Sequence, residues 1–273
     1  MAEPMTADEV VRALKSWRVP FQTTDGWRTR NRNHVGPWGP VHGVILHHTA
    51  DDALDEVDLR MVTRGRADLP GPLSHFGCDD EGTIWLIGWG RANHAGGGDP
   101  RVLRAVIEES YGDYPPGPRE HTGSSGSTDG NDNFYGVETF YSGSKPPTAE
   151  ARRSLVLLSA AICDHHGWSA KSVIGHKEWS EWKSDPGHLD MKTFRSTLAQ
   201  QLRHGPPPVD GTDIYLTRAR RRLRAAYDDL VIAERNLSWA LDEGARVRAI
   251  RDRTRAKALS LKKDAERLKD GRS

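Results

Sequence analysis

The hydrophobic positions of the chain change their spacing several times, and each change predicts a different element. Short apolar runs bounded by turn residues predict buried strands, and apolar residues spaced by three and four predict amphipathic helices. The predicted helices cover 6–17, 55–64, 100–110, 148–165 and 191–202. The predicted strands cover 44–46, 76–78, 83–87, 134–141 and 172–174. Because helices and strands alternate, we predict an α/β fold with a mixed central β-sheet flanked by helices.

The last part of the chain has a seven-residue repeat. Leucines recur at this interval from Leu216 to Leu237, and alanines recur at the same interval three positions later. This is the a/d pattern of a coiled coil, with small residues at one position. The repeat weakens after Gly244. Two interpretations stay open: one long helix that forms a homodimer, or a turn at 242–245 that makes a hairpin, which we favour.

Composition divides the chain at a Pro/Gly-rich stretch, 204–212, which no helix or central strand would tolerate. Residues 213–273 carry 17 Lys and Arg against 10 Asp and Glu, whereas the first 212 residues carry 22 against 28. We therefore predict an N-terminal helical extension (1–24), a catalytic domain (25–203), a linker (204–212) and a basic helical region (213–273). The basic helices would attract an anionic polymer such as a cell wall.

Length and composition exclude several classes of protein. The 273 residues contain no apolar run near the roughly 20 residues of a membrane span, so we expect no stable membrane insertion. The N-terminus shows no apolar secretory signal, which predicts synthesis in the cytoplasm. Two cysteines, Cys78 and Cys163, are too few for a disulfide scaffold or a four-cysteine zinc module. A net charge of +1 predicts no nucleic-acid partner.

Two histidines and one acid could form a metal site. His47 and His48 end a predicted strand and point to opposite faces, so at most one of them joins a given site. His176 follows another short strand, and Asp185 opens a Pro-Gly turn nine residues later. Two imidazoles and one carboxylate are a ligand set for catalytic zinc, with one position left for water. His188 is an alternative third ligand.

Two further charged residues are candidates for the same pocket. Glu138 lies within a predicted strand, where acids are depleted and where an unpaired buried carboxylate is costly. This position indicates that Glu138 is either paired or functional. Lys183 lies two residues before Asp185 in the same loop and could reach the same site.

These positions, taken together, resemble the type 2 N-acetylmuramoyl-L-alanine amidases, a zinc amidase family that includes peptidoglycan recognition proteins and many phage endolysins. The resemblance covers about 25–203. The segment Trp27-Arg28-Thr29-Arg30 also resembles endolysins of bacteriophages that infect actinobacteria. The matching segments are His47-His48-Thr49, Ser74-His75-Phe76, Asp80-Glu81-Gly82-Thr83-Ile84, Asn93-His94-Ala95-Gly96, Gly136-Val137-Glu138, Gly175-His176 and Lys183-Ser184-Asp185-Pro186-Gly187.

The resemblance implies a role for each of these candidates. It implies zinc binding in a groove by His47, His176 and Asp185, a general base at Glu138, a transition-state stabiliser at Lys183, and substrate contacts at His75 and His94. The chain departs from part of the family at two positions. Asp185 stands where some members have Cys, and Ser74 stands where many have Tyr, which leaves catalysis to the Glu and the Lys.

The resemblance also implies a function. It predicts an endolysin that lyses the host by hydrolysing the amide bond between N-acetylmuramic acid and L-alanine in bacterial peptidoglycan. Two alternatives use the same site: a non-catalytic peptidoglycan-binding protein and an amidase that recycles muropeptides. The complete set of candidate ligands favours an enzyme over the first, and the basic helices favour a polymer over the second. The absence of a His-Glu-x-x-His motif counts against the common type of zinc peptidase.

Overall fold

The computed structural model describes residues 2–208 and, in the C-terminal region, 237, 239, 241, 243–257 and 259–260. Residue contacts divide the chain into two compact units, Met1–Pro207 and Pro208–Ser273. The division falls within the Pro/Gly-rich stretch 204–212.

The first unit contains strands and helices in alternation. The strands are β1 (Phe21–Thr23), β2 (Gly43–His48), β3 (Phe76–Cys78), β4 (Ile84–Leu86), β5 (Gly97–Gly98), β6 (Thr128–Asp129), β7 (Phe134–Thr139) and β8 (Val173–Gly175). The helices are α1 (Ala7–Ser16), α2 (Asp55–Arg64), α3 (Pro100–Ile107), α4 (Gly130–Asn133), α5 (Ala149–His166), α6 (His176–Trp179) and α7 (Met191–His204).

Six strands form one mixed sheet in the order β1-β4-β3-β7-β2-β8. Only β3 and β4 pair antiparallel, and the other neighbours are parallel. The predicted mixed sheet flanked by helices is therefore confirmed. The sequence did not predict β1, because Phe21-Gln22-Thr23 contains a single apolar residue and so forms no apolar run. A separate pair joins β5 and β6.

The side chains of β2 alternate between two cores. Val44 and Leu46 pack with residues of α1, α5 and α7 on one face of the sheet. Ile45 packs with residues of α3 and with Trp179 of α6 on the other face. Because side chains alternate along a strand, His47 lies on the α3 face and His48 on the opposite face.

The predicted N-terminal extension packs into the core of this unit. Thr6 caps α1: its hydroxyl accepts from the Glu9 backbone N–H at 3.3 Å, and the Thr6 N–H donates to the Glu9 carboxylate at 2.7 Å. At the other end of the helix, Trp17 is 2% exposed, and its indole N–H donates to Asp164 of α5 at 2.9 Å. The helix therefore belongs to the packed structure of residues 2–207.

The segment 111–133 also contributes more than the sequence predicted. Its richness in Gly, Ser, Pro, Asp and Asn predicts a long loop without a core. Residues 111–127 contain no helix or strand, as predicted, but 128–133 form β6 and α4, and Tyr111 and Asn131 are buried. The sequence did not predict β6 and α4 because Gly, Asp and Asn, which make up most of these residues, favour turns.

The C-terminal region is helical where the structure describes it, which confirms a C-terminal helix. Residues 243–257 form continuous helix, so the turn predicted at 242–245 is wrong for its described part, 243–245. This agrees with the alternative of one long helix. Most of the seven-residue repeat, and with it the predicted dimer contact, lies outside the described residues. Nowhere in the described chain does a helix reach the length and hydropathy of a membrane span.

Truncation of Trp17 tests how far α1 supports the fold. We expect Trp17→Ala to lower the free energy of unfolding by about 3–5 kcal/mol, the usual cost of removing a large buried aromatic side chain. Urea unfolding measures this loss. Trp182→Ala is the matched control, because Trp182 is 73% exposed and should cost less than about 1 kcal/mol. Equal losses for the two variants would contradict the packing described for α1.

Candidate functional site

Three parallel strands end at one edge of the sheet, and this edge carries the candidate residues. In the register of β2 and β7, His47 lies beside Glu138. In the register of β2 and β8, Leu46 lies beside Gly175, so His176 follows at the same edge as the first residue of α6. Because paired residues of parallel strands face the same side, Glu138 shares the α3 face with His47.

Asp185 joins the two histidines to complete a compact cluster. His47 Nδ1 lies 2.9 Å from His176 Nδ1 and 3.1 Å from Asp185 Oδ2, and His176 Nδ1 lies 3.0 Å from the same oxygen. The side chains are 1%, 4% and 14% exposed for His47, His176 and Asp185. The structure thus brings together the three residues that the sequence predicted as ligands.

The hydrogen bonds of the other ring nitrogens define the tautomers. His176 Nε2 lies 3.1 Å from the carbonyl oxygen of Ala95 and can only donate to it. His94 Nε2 likewise donates to the Phe134 carbonyl at 3.2 Å, so His94 Nδ1 accepts from His47 Nε2 at 3.1 Å. In their neutral forms, His47 and His176 would therefore both carry their proton on Nε2 and present a lone pair on Nδ1.

The cluster fits a divalent metal ion. Burial lowers the pKa of His47 to about 4, which keeps its imidazole neutral near pH 7. The two Nδ1 atoms and a carboxylate oxygen face one another at 2.9–3.1 Å, a distance at which neutral rings would direct two lone pairs and the carboxylate at one point. A tetrahedral zinc ion with bonds of about 2.0–2.1 Å would hold its donor atoms roughly 3.3 Å apart. His47, His176 and Asp185 could hold such an ion.

The alternative ligand His188 lies outside this cluster, and its side chain is exposed. Asp185 occupies the third position because the turn that follows it is fixed from the opposite face. The Gly187 N–H donates to His48 Nδ1 at 3.1 Å, and the Tyr141 hydroxyl donates to the Gly187 carbonyl at 2.6 Å. His48, excluded from the cluster by strand alternation, thus supports the loop of the third ligand.

Glu138 presents a buried carboxylate oxygen to this edge of the sheet. Within residues 2–208, no hydrogen-bonding group contacts its Oε2. Burial, with the negative charges of Asp185 and Asp58, raises the pKa of Glu138 well above its usual value, and the Lys183 charge partly opposes this rise. An unpartnered buried carboxylate is costly and is characteristic of a functional position.

Lys183 lies in the exposed loop that leads to Asp185. Its backbone N–H donates to the Ser180 carbonyl at 3.2 Å. Its side-chain charge lowers the pKa of both His47 and Glu138. Beside it, Trp182 stacks on His121 with ring centroids 3.6 Å apart.

The two histidines predicted to contact substrate are buried and hydrogen-bonded. His75 Nε2 donates to the Gly90 carbonyl and its Nδ1 accepts from the Gly136 N–H, both at 2.9 Å. His94 uses both nitrogens as described above, and Gly136 leaves room for its ring, since a Cβ there would lie 2.5 Å from His94 Cγ. Neither ring has a nitrogen free for a ligand. These hydrogen bonds do not favour the predicted substrate contacts of His75 and His94, which stay predictions.

Sequence reasoning missed Asn131, which organises the segment around His94. Its side-chain oxygen accepts from the backbone N–H groups of His94, Ala95 and Gly96 at 2.8, 2.9 and 3.3 Å. The only signal in the sequence was an Asn in a Gly-Asn-Asp-Asn stretch, which predicts a turn. Nothing in that pattern shows which distant backbone the side chain reaches.

Comparison with protein families gives one match. The profile described as N-acetylmuramoyl-L-alanine amidase matches residues 37–188, more than half of the chain. The matched range contains β2, β7 and β8 and all three residues of the cluster. Among curated proteins, no sequence matches this chain.

Solved structures with similar folds include several amidases. The endolysin N-acetylmuramoyl-L-alanine amidase LysCS from Clostridium intestinale URNW is 16% identical, with 65% of this chain and 94% of that chain covered and a TM-score of 0.41. The catalytic domain of XlyA is 18% identical, with 66% and 99% covered and a TM-score of 0.42. Drosophila peptidoglycan recognition protein SD is 17% identical, with 62% and 89% covered and a TM-score of 0.35.

Replacement of His75 distinguishes support of the backbone from contact with a ligand. We expect His75→Leu to lower the free energy of unfolding by about 1–3 kcal/mol for each of the two backbone groups it leaves unpaired, Gly136 N–H and Gly90 C=O. Urea unfolding of chelator-treated protein provides the measurement. The exposed His34, changed to Leu in the same way, should cost under about 0.5 kcal/mol. Unchanged stability of His75→Leu would instead favour the predicted substrate contact.

Proposed function

The chain belongs to the N-acetylmuramoyl-L-alanine amidase family, and we propose that it hydrolyses the amide bond between N-acetylmuramic acid and L-alanine in bacterial peptidoglycan, with zinc as its cofactor. The observation that carries the proposal is the triangle of donor atoms formed by His47, His176 and Asp185, with sides of 2.9–3.1 Å. Three protein donors leave the fourth position of a tetrahedral ion open, as in catalytic zinc sites.

Zinc would assist amide hydrolysis by acting on both the attacking water and the substrate carbonyl. When bound, zinc lowers the pKa of water toward about 7 and polarises the carbonyl oxygen of the substrate. The residues of the chain prepare the site for it. The Nδ1 atoms of His47 and His176 would offer lone pairs, and the carboxylate of Asp185 would offset part of the charge of the ion.

Glu138 is the proposed general base. Its buried Oε2 has no hydrogen-bonding partner within residues 2–208, so the oxygen is free to accept a proton from the attacking water. The burial that raises the pKa of Glu138 also makes its carboxylate a stronger base. The same carboxyl group would then donate the proton to the leaving nitrogen of L-alanine.

Lys183 is the proposed stabiliser of the transition state. Lys183 lies two residues before Asp185 in the same loop, and its side-chain charge lowers the pKa of both His47 and Glu138. Negative charge develops on the carbonyl oxygen during attack, and a lysine N–H can donate to it. Loss of one such donor typically raises the barrier by roughly 2.7–4 kcal/mol.

The C-terminal region favours a polymeric substrate and supports the proposal of an endolysin. Residues 213–273 carry 17 basic and 10 acidic side chains, whereas the first 212 residues are net acidic. Because peptidoglycan bears carboxylates, attraction to the wall would come from the basic region. A recycling amidase acts on small soluble fragments and needs no such region.

Two variants separate metal binding from proton transfer. We expect His47→Ala to lose both zinc and amidase activity, because only two donors remain. Glu138→Gln should retain zinc and lose turnover, because an amide cannot accept the proton of water. Zinc content is measured by elemental analysis and hydrolysis by mass spectrometry of digested peptidoglycan. The exposed Glu150, changed to Gln, is the control and should retain both properties.

The products identify the bond that is cut. New lactyl carboxyl groups on muramic acid, together with new L-alanine amino ends, are the expected result. New reducing sugars or new ends within the peptide would contradict the proposed reaction. If zinc-loaded protein bound peptidoglycan but left it intact, the result would favour the alternative of a non-catalytic peptidoglycan-binding protein. If Glu138→Gln hydrolysed peptidoglycan at the wild-type rate, only the assignment of Glu138 as the general base would be wrong.

Removal of the basic region tests its role at the wall. A chain that ends at His204 should hydrolyse soluble muropeptide at the full rate, because it retains every element of the proposed site. It should bind isolated walls less tightly than the full chain, and the difference should widen at low salt, where charges are screened less. Sedimentation with walls at several salt concentrations measures this. Equal binding of both chains would assign wall binding to the first unit.

A further inference from the structure

One short segment, His94-Ala95, supplies the hydrogen-bond acceptors for both imidazoles of the cluster. His47 Nε2 donates to the side chain of His94, and His176 Nε2 donates to the carbonyl oxygen of Ala95, both at 3.1 Å. The acceptors come from adjacent residues of a segment without regular structure. The orientation of both rings therefore depends on where this segment lies.

Asn131 holds this segment through a single atom. Its Oδ1 accepts from three successive N–H groups, those of His94, Ala95 and Gly96. Asn131 is 6% exposed, so water cannot readily replace the bond. Because these N–H groups belong to the segment that contacts His47 and His176, a shift of the Asn131 oxygen would move both acceptors at once.

The position of Asn131 is itself fixed. Its N–H donates to the carboxylate of Asp129 at 2.9 Å, which makes Asp129 the cap of α4. Arg91, which is 8% exposed, forms ion pairs with Asp129 and Asp132 on either side of Asn131. Gly130 allows close packing, since a Cβ there would lie 2.7 Å from the Cβ of Ala95.

We propose that Asn131 is a positioning residue for the metal centre, acting through His94 and Ala95 on the imidazoles of both His47 and His176. The proposal rests on the proposed zinc site. An acceptor bonded to the outer nitrogen of a metal-binding histidine fixes its tautomer and ring orientation, and loss of such a partner typically costs about 10–100-fold in metal affinity. Asn131 does not contact the imidazoles itself, but its hydrogen bonds hold the acceptors of both His47 and His176.

The test measures zinc affinity of the full chain by competition with a chromophoric chelator, without reference to activity. Asn131→Leu removes the acceptor at similar volume, and we expect zinc to bind about tenfold or more weakly and to dissociate faster. Asn131→Asp retains an oxygen that can accept the same three N–H bonds, and should restore most of the affinity. The visible spectrum of the cobalt-substituted protein should differ between wild type and Asn131→Leu and return in Asn131→Asp.

Asn31→Leu is the matched control. The Asn31 side-chain N–H groups donate to the carbonyls of Thr29 and Trp89, both at 3.2 Å, and contact neither acceptor nor Arg91. This variant should bind zinc as wild type does. Unfolding of the metal-free proteins separates a general loss of stability from a loss of affinity.

The outcomes distinguish the two proposals. Wild-type protein that binds no zinc would overturn the proposed cofactor, whatever the variants do. Wild-type affinity and spectrum in Asn131→Leu, with lower stability alone, would overturn the positioning role. If Asn131→Leu does not fold, Asn131→Gln replaces it, because it displaces the amide oxygen by one methylene. Unchanged zinc affinity in that variant would also overturn the positioning role.

Discussion

The site depends on the close approach of three donor atoms that repel one another. His47 Nδ1, His176 Nδ1 and Asp185 Oδ2 lie 2.9–3.1 Å apart, and in the neutral rings no hydrogen would lie between the two nitrogens. Such a triangle is unfavourable unless a cation lies among the atoms or the surrounding structure forces them together. The fold of the first unit therefore has to supply rigidity at this edge of the sheet, and a bound cation would in turn stabilise the fold.

That rigidity comes from both faces of the sheet. Parallel pairing of β2 with β7 and β8 fixes where the strands end, and so places His47, Glu138 and His176 at one edge. On the α3 face, the bonds of His94 and Ala95 orient the imidazoles. On the opposite face, His48 and Tyr141 hold the turn after Asp185. Each ligand is thus fixed by the sheet or its loop and by at least one hydrogen bond.

The strands were predictable because they follow local rules, whereas the network between the candidate ligands was not. Strand alternation by itself assigns His47 and His48 to opposite faces, but the choice of His47, and of Asp185 over His188, came from the resemblance to the family. Asn131 and the buried position of His75 could not be predicted in this way, since each bonds to backbone groups far away in the chain. Local pattern identifies which residue types could meet, but the partners of a buried polar group are decided by tertiary packing.

The choice of outer partners has an electrostatic consequence for the proposed chemistry. His176 donates to a backbone carbonyl, and the chain from His47 through His94 also ends on a backbone carbonyl, that of Phe134. Neutral acceptors orient the rings without adding negative charge, so Asp185 is the one anion among the three proposed ligands. A divalent ion would then retain an excess of one positive charge. That excess charge would stabilise the oxyanion that develops on the substrate carbonyl. It would also lower the pKa of Glu138, against the effect of burial, and so favour the carboxylate form that accepts a proton.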